Sequence, residues 1–118
     1  MILDTSSVIR RVSQGRGVEG NITSITLIEY PPVRTYDKFH GRIYFLTEAD
    51  QLRAASLQEK MRALGKPMGA ADLLTAAVCL NRDEELLTMD EDFLSILEVE
   101  PAFRVIVEDL RNHSSERR

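Results

Sequence analysis

Apolar residues fall in short runs separated by polar, glycine or proline breaks. Ile2-Leu3 ends at Asp4, and Thr5-Ser6-Ser7 then precede Val8, Ile9 and Val12 at helical spacing, which predicts a strand, a turn and a helix. Gln14 to Gly20 carries Gly15, Gly17 and Gly20 with Val18 as its one apolar residue, and predicts a flexible connection. Asn21 to Tyr30 reads as a strand by its β-branched content, or as a strand running into one helical turn, and Pro31-Pro32 stops or kinks it. Residues 33–41 predict irregular structure. Arg42 to Leu46 predicts a strand, Thr47 a cap, and Glu48 to Leu64 a helix with Ala54, Leu57, Met61 and Leu64 as an apolar stripe ended by Gly65. After Lys66-Pro67, Ala70 to Leu80 predicts a buried helix of small apolar residues interrupted by Asp72. Glu85 to Thr88 predicts a strand, Asp90 to Leu94 the start of a helix, and Phe103 to Val107 a last strand. Strands alternating with helices predict an α/β fold, its sheet mostly parallel and covered by helices on both faces.

Composition narrows the class. The 118 residues are 43% hydrophobic and 29% charged, which excludes collagen-like, disordered and low-complexity chains and fits one domain over residues 1–111 with a frayed tail at 112–118. One cysteine, Cys79, allows no intramolecular disulfide and no cysteine-rich zinc site, and fits a reducing, cytoplasmic setting. Met1-Ile2-Leu3-Asp4 places an acid where a signal peptide needs basic and then apolar residues, and no apolar run reaches membrane-spanning length. Fifteen Lys and Arg against 19 Asp and Glu, net charge -4, argue against coating nucleic acid by bulk charge but suit an enzyme that gathers carboxylates around cations.

Four acids stand where a parallel α/β sheet puts its functional groups: Asp4, Glu29, Asp72 and Asp90. Each has a structural explanation when taken alone. Asp4 and Asp90 read as helix caps, with Thr88 to Glu91 as a capping box, and Asp72 complements the dipole of its helix. Together they read differently, because Asp4, Glu29 and Asp72 interrupt apolar surroundings and no Lys or Arg lies within two residues of any of them. A divalent cation resolves that charge. With only oxygen donors nearby, and His40 and His113 elsewhere in the chain, Mg²⁺ or Mn²⁺ suits the set better than Zn²⁺ or Cu²⁺.

The runs Ile2-Leu3-Asp4-Thr5-Ser6, Thr26-Leu27-Ile28-Glu29, Asp72-Leu73-Leu74-Thr75-Ala76-Ala77 and Leu87-Thr88-Met89-Asp90-Glu91-Asp92-Phe93 together resemble a PIN-domain ribonuclease, with the VapC-type toxins as the nearest subgroup. The resemblance covers nearly the whole chain in order. It implies a PIN-like α/β/α sandwich and a Mg²⁺- or Mn²⁺-dependent endoribonuclease, with an RNA substrate, an antitoxin partner and a homodimeric state. By position, Asp4, Glu29, Asp72 and Asp90 match the family's acidic metal-binding quartet, Asp92 an additional acid, and Ser6 and Thr88 small hydroxyl positions that support the site. Asp4, Asp72 and Asp90 are then the principal ligands, Glu29 a ligand or a water-orienting base, and Asp92 an outer support or a ligand to a second metal. Arg10, Arg11, Arg16 and Arg42 are candidates for phosphate contact. The stretch from Glu29 to Asp72 is shorter than in typical VapC-type toxins, so Pro31-Pro32 is expected to cut short the helix that carries Glu29. That shortening keeps a second reading open, a module that has the fold and binds RNA or a protein without cutting it. A phosphoacceptor receiver domain needs adjacent early acids and a lysine on a late strand, and the chain offers neither.

Overall fold

The computed structural model describes residues 1–109, so the tail expected at 112–118 lies outside the described residues. Five short strands, β1 (Ile2–Leu3), β2 (Ile22–Thr23), β3 (Ile43–Tyr44), β4 (Leu86–Thr88) and β5 (Val105–Val107), alternate with helices α1 (Thr5–Ser13), α2 (Ser24–Glu29), α3 (Glu48–Ala63) and α4 (Ala70–Arg82). Two 3-10 helices, Pro31–Thr35 and Glu91–Glu98, complete the described residues. Every strand pair is parallel: β1 with β4, β4 with β5, and β2 with β3. A parallel bridge from Ile2 to Asn21 joins the two groups, giving the spatial order β3-β2-β1-β4-β5.

Alternation along the strands divides the core. Ile2 and Leu86 face one apolar cluster with Ala54, Leu57 and Met61 of α3 and Leu73, Ala76 and Ala77 of α4. Leu3 faces the other way, into a cluster with Val8 of α1, Val18, Ile22 and Val33, against which Leu87 packs. Successive strand side chains point to opposite faces, so β1 and the first two residues of β4 are apolar on both faces, and the sheet lies between two helical layers.

The strands are shorter than the sequence pattern suggests. Only Ile43 and Tyr44 pair in the segment read as Arg42 to Leu46, and Phe45 is exposed. The Gln14 to Gly20 connection is tied down rather than flexible. Val18 is fully buried, its N–H donates to Lys38 O at 2.9 Å, and its carbonyl accepts from His40 N at 2.9 Å. Gly41 permits the close packing beside it, because a Cβ there would stand 1.9 Å from Gly20 O. Residues 33–35, expected to be irregular, continue a 3-10 turn that opens at Pro31-Pro32, since proline suits the first positions of a helix, whose N–H groups have no partner. The same prolines end α2 after six residues, as the sequence predicts.

Helix α3 starts in a reciprocal capping box: Thr47 Oγ1 accepts from Asp50 N at 3.1 Å and Asp50 Oδ2 from Thr47 N at 2.9 Å. Its stripe buries Ala54, Leu57 and Met61, while Leu64, the C-cap, is exposed. Helix α4 continues to Arg82, two residues past the expected end. Cys79 is buried on it, and burial pushes its thiol up to about 12. No helix among the described residues is long and apolar enough to cross a membrane.

Candidate active site

The order β3-β2-β1-β4-β5 changes direction between β1 and β4, and in open parallel sheets a crevice forms at such a point beyond the carboxyl ends of the strands. Asp4 follows β1 there, and Asp90 lies two residues beyond the last residue of β4. Helix α4 leads into β4, so its first turn, which contains Asp72, is brought to the same end. Glu29 is the last residue of α2, which follows β2 directly.

Hydrogen bonds link these elements. Thr88 Oγ1 donates to Asp4 Oδ2 at 2.9 Å and accepts from Asp90 N at 3.0 Å, joining the ends of β1 and β4. Ser6 Oγ donates to the same Asp4 oxygen at 3.3 Å and accepts from Met89 N at 3.3 Å. Ser6 and Thr88 therefore both touch Asp4. Thr5 Oγ1 donates to Glu29 Oε1 at 2.6 Å and lies 2.9 Å from Thr26 Oγ1. Both threonines lie in runs that the sequence singles out, Thr5 next to Asp4 and Thr26 three positions before Glu29, but the sequence assigns neither a role.

The capping explanations divide. Asp90 is the N-cap of the second 3-10 helix, its Oδ1 accepting from Asp92 N at 2.9 Å, in place of a Thr88 to Glu91 capping box. Asp4 occupies the N-cap position of α1 without forming a side-chain cap. Asp72 lies in the first turn of α4, where the helix dipole favours an acid. Dipole stabilisation does not dominate at Asp72, whose carboxyl is pushed up to about 6 by burial and by the negative charges of Asp4, Asp90, Glu29 and Asp92. Burial also raises the Asp4 pKa, against the lowering effect of the hydrogen bonds from Thr88, Thr5 and Ser6.

None of the ion pairs among the described residues involves Asp4, Glu29, Asp72, Asp90 or Asp92. Asp92 lies on the walls of two open hollows. One, of about 610 Å³, is also lined by Ser6, Asp90 and Glu108, and the other, of about 290 Å³, by Asp72 and Ser95. Among the described residues, no three carboxylate, imidazole or thiol groups stand together closely enough to hold one ion as placed. The donor set nonetheless fits a hard cation in chemistry: it is all oxygen, and its charge is unpaired.

The arginines are placed less favourably for phosphate contact. Arg11 makes a two-point ion pair with Glu108, at 2.6 and 2.9 Å, and is committed to it. Arg42 precedes β3, at the opposite end of the sheet from Asp4, and Arg16 lies beyond the C-terminus of α1 with Nη1 3.3 Å from Gln14 Oε1. Arg10 is in the last turn of α1.

No protein-family model and no curated protein matches the sequence. The fold does match solved structures. A chain of VapBC2 from Rickettsia felis, in a complex with a DNA fragment from the promoter, superposes with a TM-score of 0.72 at 17% identity, covering 92% of this chain and 98% of that one. DNA-bound VapBC from Salmonella typhimurium gives 0.70 at 18% identity, covering 89% and 95%. VapBC-5 from Mycobacterium tuberculosis, a member of the VapBC toxin-antitoxin family, gives 0.70 at 20% identity, covering 91% and 97%. The chain thus has a VapC-like PIN-domain fold.

Proposed function

We propose that this chain is a Mg²⁺- or Mn²⁺-dependent endoribonuclease that hydrolyses RNA phosphodiester bonds and acts as the toxin of a toxin-antitoxin pair. The observation that carries the reading is the set of five acids without a cationic partner among the described residues, at the direction change of the sheet, with Asp72 pushed up to about 6 by burial and its acidic neighbours. The fold neighbours, which are toxin-antitoxin complexes, support the biological role and an antitoxin partner. Asp4, Asp72 and Asp90 would hold the cation, Glu29 would serve as a ligand or orient the attacking water, and Asp92 would widen the site toward a second ion. A divalent cation bound there supplies charge neutralisation at the phosphate and a more acidic water. Thr88 and Ser6 fix the direction of the Asp4 carboxylate, and the ends of β1 and β4 hold Asp4 and Asp90 on either side of the crevice.

One observation favours the second reading, a binding module without cleavage: no three acids are gathered around a common point as placed. Incubating the protein with structured and unstructured RNA, in Mn²⁺ or in EDTA, beside Asp4→Asn decides between them. The expected result is cleavage in Mn²⁺ alone, lost in Asp4→Asn. RNA binding without cleavage by the parent in Mn²⁺ would establish the module, and cleavage unchanged in Asp4→Asn would remove that residue from the site.

A further inference from the structure

Helix α2 is too short to fix its own last residue. Six residues leave it with fewer than two turns, and Pro31-Pro32 prevents extension, so Glu29 stands at an end that frays unless something outside the helix holds it. The hydrogen bond from Thr5 Oγ1 to Glu29 Oε1 at 2.6 Å is such a hold. A hydroxyl has one proton and an ionised carboxylate has none. The Thr5 proton is therefore spent on Glu29, and the 2.9 Å contact between Thr5 Oγ1 and Thr26 Oγ1 must be a donation from Thr26 to Thr5. Thr26 is only 2% exposed, so water has little access to compete for its proton. It lies three residues before Glu29, on the same side of α2.

We propose that Thr26 and Thr5 form a one-directional hydroxyl relay that sets the position of Glu29 relative to Asp4, the residue covalently next to Thr5, and thereby controls the cation affinity of the crevice. The inference deepens the proposed function and rests on it. Both threonines are positioning residues, acting through Glu29 rather than on the reacting atoms. The relay compensates for the shortening of α2, because the hold on Glu29 comes from α1 instead of from a further helical turn.

The test is the Mn²⁺ dissociation constant of the full chain by calorimetry, with thermal melts in EDTA as a check on folding. Thr26→Val, which keeps the shape and removes the donor, should weaken Mn²⁺ binding by about three- to tenfold, and Thr26→Ser should restore it to within about twofold. In a Glu29→Gln background the Thr26→Val change should have almost no further effect, because the relay then has no carboxylate to position. Thr5→Ala reads the same bond from a more accessible position and serves if Thr26→Val does not fold. Binding in Thr26→Val and Thr5→Ala equal to that of the parent would overturn the relay alone. An equal loss with and without Glu29 would reduce Thr26 to a packing residue and overturn the relay as well. A parent that binds no Mn²⁺ would overturn both the function and the relay.

Discussion

Asp72 is the residue whose environment departs most from what its chemistry prefers. Its carboxyl is pushed up to about 6 from an ordinary value of 3.8 by burial and by the charges of Asp4, Asp90, Glu29 and Asp92. A pKa raised on folding means that the folded state holds the proton more tightly, so the contribution of Asp72 to stability is most favourable below about pH 4 and falls as pH rises through 6. At neutral pH and without metal, Asp72→Asn should therefore melt higher than the parent. After allowance for solvent screening of a partly exposed group, the lost repulsion is worth about 1 kcal/mol, or roughly 3 to 6 °C. The first-turn helix dipole opposes this by about 0.3 to 1 kcal/mol, which leaves a net gain of at most about 0.7 kcal/mol, or roughly 4 °C. The difference should shrink from pH 7 to pH 5, and added Mn²⁺ should raise the parent's midpoint much more than the variant's. Melts in EDTA and in Mn²⁺ at the two pH values check this, and a variant that melts lower than the parent in EDTA at pH 7 would make Asp72 a helix-dipole residue instead.

Between elements, the decisive polar contact is buried and was not legible in the sequence. Asp50, fully buried at the start of α3, accepts from Asn81 Nδ2 and Arg82 Nη1 of α4, each at 2.9 Å, besides its part in the capping box. Burial alone would raise its pKa, but the hydrogen bonds from Arg82, Thr47 and Asn81 outweigh it and hold the carboxyl at about 2. The sequence shows Thr47 as a cap; it does not show that the third residue of the helix meets the end of another helix 31 residues later. Asp50→Asn keeps an acceptor for Thr47 N but removes the charge from beside Arg82, and should cost about 1 to 3 kcal/mol at pH 7. Because the folded pKa is depressed, the parent's advantage should be full above about pH 4 and disappear as pH falls through 2. Urea unfolding at neutral and acid pH checks this, and a variant as stable as the parent at pH 7 would show that the two helices are joined by apolar packing alone.

Across the whole molecule, the sheet order decides where the acids gather. The alternating short apolar runs made the parallel α/β fold legible, since a strand buried on both faces has to be apolar along its length. The positions of Asp4 and Asp90 followed from the same reading, as acids just past strand ends. What stayed hidden were contacts between segments distant in sequence: the bridge that anchors Val18 against Phe39, the Arg11 and Glu108 pair, and the threonine hold on Glu29. Each depends on which strands become neighbours, and local periodicity carries no information about that. The proposed function requires the crevice between the ends of β1 and β4 to hold a divalent cation. Anomalous diffraction from crystals of the parent grown or soaked with Mn²⁺ reads this site itself. The expected result is an anomalous peak coordinated by Asp4, Asp72 and Asp90, with their side chains drawn together around it, and no peak there in Asp4→Asn. A well-ordered parent crystal in Mn²⁺ with no peak in that crevice, or with the ion bound elsewhere, would contradict it.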